Sequence, residues 1–187
     1  MGRVVGVLAV QGDYAKHMEV LGRIGAPAQE VRTVEDLDQV DRLIIPGGES
    51  TTVGLLLQRF GLGEEIVRRA GSGMPVWGTC MGLILLAREV EGRDQWTLGL
   101  LDVKVRRNAF GSQVNSFEDS VEIDGWEELA LGVFIRAPVV VDHGPEVEAF
   151  ARYQGQIVGV RQGTIIGTSF HPELTSDTRI HQEFVSK

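Results

Sequence analysis

Met74-Pro75-Val76-Trp77-Gly78-Thr79-Cys80-Met81-Gly82-Leu83-Ile84-Leu85-Leu86-Ala87-Arg88 holds the only cysteine of the chain, set between two apolar runs of different character. Residues 74–77 read as a short buried strand and 83–88 as the start of a buried helix. A residue on a sharp strand-to-helix turn has its side chain held out beside the unpaired N–H groups of the helix N-terminus. Such donors can stabilise an oxyanion. Gly78 and Gly82, two residues to either side of Cys80, remove side chains that would crowd the turn. A buried structural cysteine is the other reading, since most free cysteines are packed away. The elbow alone leaves both open.

Upstream, apolar runs alternate with amphipathic stretches. Strands are expected at 4–10, 27–31 and 42–45, and helices at 14–24, 50–60 and 63–70, with Ser50 or Thr51 available as an N-cap. Such alternation implies a three-layer α/β fold, with a mostly parallel central sheet and helices on both faces. Ligands bind such sheets beyond the carboxyl ends of the strands. Both Pro46-Gly47-Gly48-Glu49-Ser50 and the Cys80 turn fall there. Downstream, short β-like runs at 98–105, 120–123, 132–136, 147–151, 157–160 and 164–170 are expected to add antiparallel strands to one side. An amphipathic stretch at 179–185 closes the chain, and residues 1–187 read as a single domain without repeats or linkers.

The net charge of −8 argues against nucleic acid and anionic membranes as partners. No apolar run is long enough to span a bilayer, the N-terminus shows no signal-peptide pattern, and a lone cysteine fits a reducing compartment, so a cytoplasmic location is expected. Metal-ligand spacings are missing, so neither metal nor cofactor is expected.

A cysteine nucleophile needs a base, and the base needs an orienting group. Of the four histidines, His17 and His181 sit in helices and His143 in a turn, where a solvated or partly buried ring is the default. His171-Pro172-Glu173 differs. Proline pushes the residue before it to an extended backbone, so His171 and Glu173 should point the same way, with the carboxylate at Nδ1. The glycines of Pro46–Ser50 could leave a backbone N–H free for an oxyanion, and Glu49 could receive a cationic group; a plain capped turn is the alternative. Arg107 or Arg136 could hold a substrate carboxylate, although most such arginines are surface residues.

Taken together, these motifs resemble the triad-type glutamine amidotransferases, and more narrowly the glutaminase subunits of pyridoxal 5′-phosphate synthase. The resemblance rests on Val7-Leu8-Ala9-Val10-Gln11-Gly12, Pro46-Gly47-Gly48-Glu49-Ser50-Thr51-Thr52, Gly78-Thr79-Cys80, Arg107-Asn108-Ala109-Phe110-Gly111, Phe134-Ile135-Arg136-Ala137-Pro138 and Ser169-Phe170-His171-Pro172-Glu173-Leu174-Thr175. It implies a class I amidotransferase, flavodoxin-like fold. It also implies Cys80 as nucleophile, His171 as general base and acid, and Glu173 as its orienter. The backbone N–H groups of Gly48 and Met81 would form the oxyanion hole. L-Glutamine would be held by Gly48, Glu49, Ser50, Arg107, Ile135 and Arg136, and Gln11 would lie near a subunit contact. One departure is Met81, where the family usually carries alanine. The implied reaction is hydrolysis of glutamine to glutamate through a thioester, with ammonia passed to a (β/α)₈ synthase subunit in a hetero-oligomer. A glutaminase serving another synthase, such as the imidazole glycerol phosphate enzyme, a cysteine peptidase or hydrolase on a related sheet, and a non-catalytic binding module are the rival readings.

Overall fold

The computed structural model describes residues 3–110 and 116–186; Gly111, the last residue of the Arg107–Gly111 motif, lies outside them. Five strands form the parallel heart of the sheet: β1 (Val5–Leu8), β2 (Ala28–Val31), β3 (Arg42–Ile45), β4 (Val76–Thr79) and β12 (Ile165–Thr168), in the order β2-β1-β3-β4-β12. The sheet continues from β12 through β11 (Gln156–Gln162), β10 (Glu148–Tyr153), β7 (Ser116–Ile123) and β8 (Ala130–Ile135), all antiparallel to their neighbours. A side arm of β5 (Ala87–Val90), β6 (Leu101–Arg106) and β9 (Val139–His143) joins at β11.

Side chains alternate across the parallel strands and feed two separate cores. Leu43 and Ile45 of β3, Val76 of β4 and Ile165 of β12 face one core; Ile44, Trp77 and Ile166, their immediate neighbours, face the other. On the first face lie α2 (Val34–Leu37), α3 (Ser50–Arg59), α4 (Leu62–Gly71) and α5 (Met81–Leu86), through Leu37, Leu57, Ile66 and Leu85. On the second lie α1 (Tyr14–Arg23) and α6 (Arg179–Ser186), through Leu21 and Phe184. Burying each of these aliphatic or aromatic side chains contributes roughly 1.5–3 kcal/mol. Among the described residues, no helix is long and apolar enough to cross a membrane.

Several local expectations are corrected. The run at 164–170 forms β12, which pairs parallel with β4 on one side and antiparallel with β11 on the other, so it belongs to the centre of the sheet. Helix α5 stops at Leu86, because Ala87 turns extended (φ −64°, ψ 150°) and starts β5, which pairs with β6. α2 and β9 are unanticipated. The first is announced by a capping box, in which the Thr33 hydroxyl accepts from Asp36 N–H at 3.2 Å and the Asp36 carboxylate accepts from Thr33 N–H at 3.0 Å. The second begins with the β-branched run Val139-Val140-Val141 and ends at an exposed His143.

Candidate active site

Three neighbouring parallel strands deliver the chemistry. Ile45 of β3 pairs with Gly78 of β4, and Thr79 of β4 pairs with Thr168 of β12. The segments that follow these residues, Pro46–Glu49, Cys80 and Ser169–His171, therefore leave the sheet side by side. Cys80 N–H extends the ladder by donating to the Thr168 carbonyl at 2.7 Å, and His171 N–H donates to the Val133 carbonyl at 2.8 Å.

The elbow is strained. Cys80 has φ 50° and ψ −104°, a region that a residue with a Cβ rarely occupies. Such strain costs of order 1–3 kcal/mol and persists where surrounding structure imposes it, often at functional sites. A Cβ on Gly78 would lie 2.4 Å from the Gly82 carbonyl carbon, and one on Gly82 would lie 2.2 Å from the Ile45 carbonyl oxygen. Both glycines are thus required by close backbone approach. Asn108 (φ 49°) and Arg136 (φ 46°) also have positive φ, and both line the same cleft as Cys80.

That cleft, of about 90 Å³, is bounded by Gly48, Glu49, Ser50, Cys80, Met81, Ile84, Arg107, Asn108, Ile135 and Arg136, so every residue expected to hold substrate lines it together with Cys80. Cys80 is 8% exposed and lines the cleft, and its thiol donates to the Ile135 carbonyl at 3.6 Å. A larger hollow of about 470 Å³, lined by Thr51, Leu55, Arg93 and Trp96 among others, holds neither cysteine nor histidine.

His171 is extended (φ −106°, ψ 86°), as expected before a proline, and Pro172–Leu174 then form one 3₁₀ turn. The turn carries Glu173 back so that its Oε1 lies 2.7 Å from His171 Nδ1. Burial pulls the His171 imidazolium down, yet hydrogen bonds with Cys80 and Glu173 outweigh it and push the pKa up to about 10. Burial likewise pushes the Glu173 carboxyl up, and His17 and His171 together bring it below the usual carboxylate value. A Cβ at Gly47 would lie 2.4 Å from His171 Cε1, so the bare glycine backbone forms a wall of the imidazole site.

The Gly47 carbonyl accepts from Asp13 N–H at 3.1 Å. Across a trans peptide this sets the Gly48 N–H in the opposite direction. Glu49, and neither Ser50 nor Thr51, caps α3: its carboxylate accepts from Thr51 N–H at 3.1 Å, Thr52 N–H at 2.8 Å and the Thr52 hydroxyl at 2.9 Å. A longer side chain reaches back over the first turn, where the serine cannot because it is already helical. Burial raises this carboxyl, but the two N–H donors prevail and hold it at about 2. Gln11 accepts from Glu49 N–H at 3.1 Å and steadies the same loop. Arg107 lies 3.7 Å from Glu49 and donates to Gln95 Oε1 at 3.1 Å.

Sequence reasoning missed three residues close to this machinery. Gln95, which also accepts from the Ser50 hydroxyl at 3.4 Å, carries no local signal. His17 and His181 are fully buried rather than solvated, and His17 Nε2 lies 3.5 Å from Glu173 Oε2. The available signal was helical spacing: His17 shares the buried stripe of Val20 and Leu21, and His181 that of Phe184.

A parallel sheet that brings a strained cysteine and a carboxylate-held histidine to one edge is the architecture of the class I glutamine amidotransferases. A crystal structure of a glutamine amidotransferase is similar at TM-score 0.93 and 48% identity, with 97% of each chain covered. Within that class the chain belongs to the SNO glutamine amidotransferase family, whose model matches residues 7–187. It is 53% identical over 186 residues to the pyridoxal 5′-phosphate synthase subunit PdxT of Roseiflexus castenholzii, covering 97% of this chain and 98% of the relative. Identity to the PdxT of Fervidobacterium nodosum is 47% over 182 residues, covering 97% of this chain and 95% of the relative.

Proposed function

We propose that the chain is the glutaminase subunit of a pyridoxal 5′-phosphate synthase, hydrolysing L-glutamine to L-glutamate and supplying ammonia to a (β/α)₈ synthase subunit. The observation that carries the chemistry is the 2.7 Å contact between His171 Nδ1 and Glu173 beside the strained Cys80. Full-length similarity to PdxT subunits supports the biosynthetic role.

The Cys80 thiolate, paired with the His171 imidazolium, attacks the side-chain amide carbon of glutamine. The oxyanion is held by the N–H groups of Gly48 and Met81; losing one such donor typically costs ~10²–10³ in rate. His171 protonates the leaving nitrogen, the C–N bond breaks and ammonia departs, leaving a thioester. Water then gives a proton to His171 and attacks the thioester, and collapse releases glutamate and restores the Cys80 thiolate beside the His171 imidazolium. Glu173 accepts the Nδ1 proton throughout and so keeps Nε2 turned to the reaction. Arg107 and Arg136 suit the substrate carboxylate, Glu49 its ammonium, and Ser50 and Ile135 complete the walls.

The test is glutamate release by the chain alone, with a pyridoxal 5′-phosphate synthase subunit, and with an imidazole glycerol phosphate synthase subunit, each repeated on Cys80→Ala. Turnover should rise with the first partner and vanish in the variant. Equal turnover by variant and parent overturns the chemistry, and stimulation by the second partner alone overturns the biosynthetic assignment.

A further inference from the structure

Glu173 has two carboxylate oxygens, and His171 uses only one. The other, Oε2, is buried, makes no hydrogen bond, and lies 3.5 Å from His17 Nε2. His17 is itself enclosed on every side. Its Nε2 lies 3.2 Å from the Thr79 hydroxyl, one residue before Cys80, and its Nδ1 lies 3.0 Å from His181 Nε2. The far nitrogen of His181, Nδ1, is buried without a partner. Trp77 packs edge-on to both rings, with centroids 5.7 Å from His17 and 4.8 Å from His181.

Only one arrangement of protons suits both ends of this chain of rings. Burial lowers both imidazoles, so each is neutral and carries a single N–H. An unpartnered buried N–H costs far more than a bare ring nitrogen, whose lone pair is a weaker hydrogen-bonding obligation. His181 therefore carries its proton on Nε2 and donates to His17 Nδ1. His17 must then carry its own proton on Nε2, aimed between Thr79 and the Glu173 carboxylate. The reverse order would strand an N–H on His181 and turn a lone pair of His17 toward a carboxylate oxygen.

We propose that His17 is a positioning residue for glutamine hydrolysis, its Nε2–H fixed by His181 and holding the Oε2 side of Glu173 so that Oε1 stays on His171 Nδ1. This rests on reading Cys80, His171 and Glu173 as the catalytic triad. The groups that act on the relay from surrounding elements are Asp13 and His171 on His17, Arg23 and Asp177 on His181, and Glu173 on both. Asp13 is the N-cap residue of α1 and Arg23 its last residue, Asp177 precedes α6, and the others belong to the turn after β12.

The experiment uses the full chain with its synthase subunit, comparing His17→Leu, which removes the donor, with His17→Gln, whose amide N–H replaces Nε2–H. In His17→Leu, kcat should fall about 10- to 100-fold with KM little changed, and the acid limb of the rate profile should move up by about one pH unit. His17→Gln should recover most of the rate and the parental limb. Ring-nitrogen NMR of the unmodified chain should show Nε2–H on both histidines, whether or not the leucine variant folds. A folded leucine variant with parental kcat and pH profile overturns the proposal, as do equal losses in both variants, or a proton on His17 Nδ1. Turnover persisting in Cys80→Ala would instead overturn the triad reading beneath it.

Discussion

Thr79 lies in parallel register with Thr168, so the next residue of one strand and the third residue beyond the other are the cysteine and the histidine of the site. The pairing explains how a cysteine and a histidine 91 positions apart in the chain come side by side without a long loop; Trp77 Nε1, donating to the Thr168 hydroxyl at 3.1 Å, ties the two strands together. Anything that loosens this parallel pair should separate the two halves of the reaction before it unfolds the domain.

Replacing Glu173 by Gln keeps the shape and removes the charge that steadies His171. Loss of an orienting carboxylate in a triad lowers turnover by up to about 10⁴-fold with binding largely kept. Steady-state kinetics should show kcat falling at least about 100-fold while KM holds; a parental kcat would contradict the role.

Gly82→Ala should destabilise the domain by about 1–3 kcal/mol, as for an overpacked core, because the new methyl carbon meets the Ile45 carbonyl at 2.2 Å. Urea denaturation reads this as a lowered midpoint at unchanged slope. A midpoint equal to the parent's would show that the elbow has slack that the backbone contacts deny.

The pH dependence of stability follows from three imidazoles. Burial lowers the pKa of His17, and burial together with His17 takes His181 to about 3. Below pH about 6.5 the unfolded chain protonates both rings and the folded chain does not, so stability falls with acid by up to about 1.4 kcal/mol per pH unit for each. His171 has the opposite sign. Its folded pKa of about 10 keeps its contribution intact below the unfolded value and loses it as pH rises toward 10. Stability should peak near pH 6.5 and decline on both sides; urea midpoints equal at pH 5 and pH 6.5 would contradict the buried neutral pair.

Arg107 is held by Gln95 and Glu49 at the mouth of the cleft. Arg107→Met should raise KM for glutamine about 10-fold or more with a smaller effect on kcat, since the contact is made equally by substrate and transition state. A loss confined to kcat would assign the arginine to the reaction itself.

The elbow and the His-Pro-Glu motif were legible because their chemistry is written locally: glycines two residues from Cys80, and a carboxylate two residues from His171. The parallel core was legible for the same reason, since β3 holds the apolar run Leu43–Ile45 and β4 opens on Val76-Trp77, each bounded by turn residues. Strand partners in the second half were not. Residues 165–168 look alike whether they join β4 in parallel or another strand antiparallel, and only the sheet as a whole decides. The His17–His181 contact spans 164 residues of sequence, so neither ring announces the other. Glu49 as cap was hidden by Ser50 beside it, a residue type with the stronger intrinsic preference for that position.

The most direct test of the site is covalent capture by a diazoketone analogue of glutamine, followed by peptide mapping. One adduct per chain should form, on Cys80, slowed by added glutamine, and it should be absent from Cys80→Ala. Labelling at another residue, or no adduct on Cys80 from a preparation that still releases glutamate from glutamine, would contradict the assignment of this sulfur as the nucleophile.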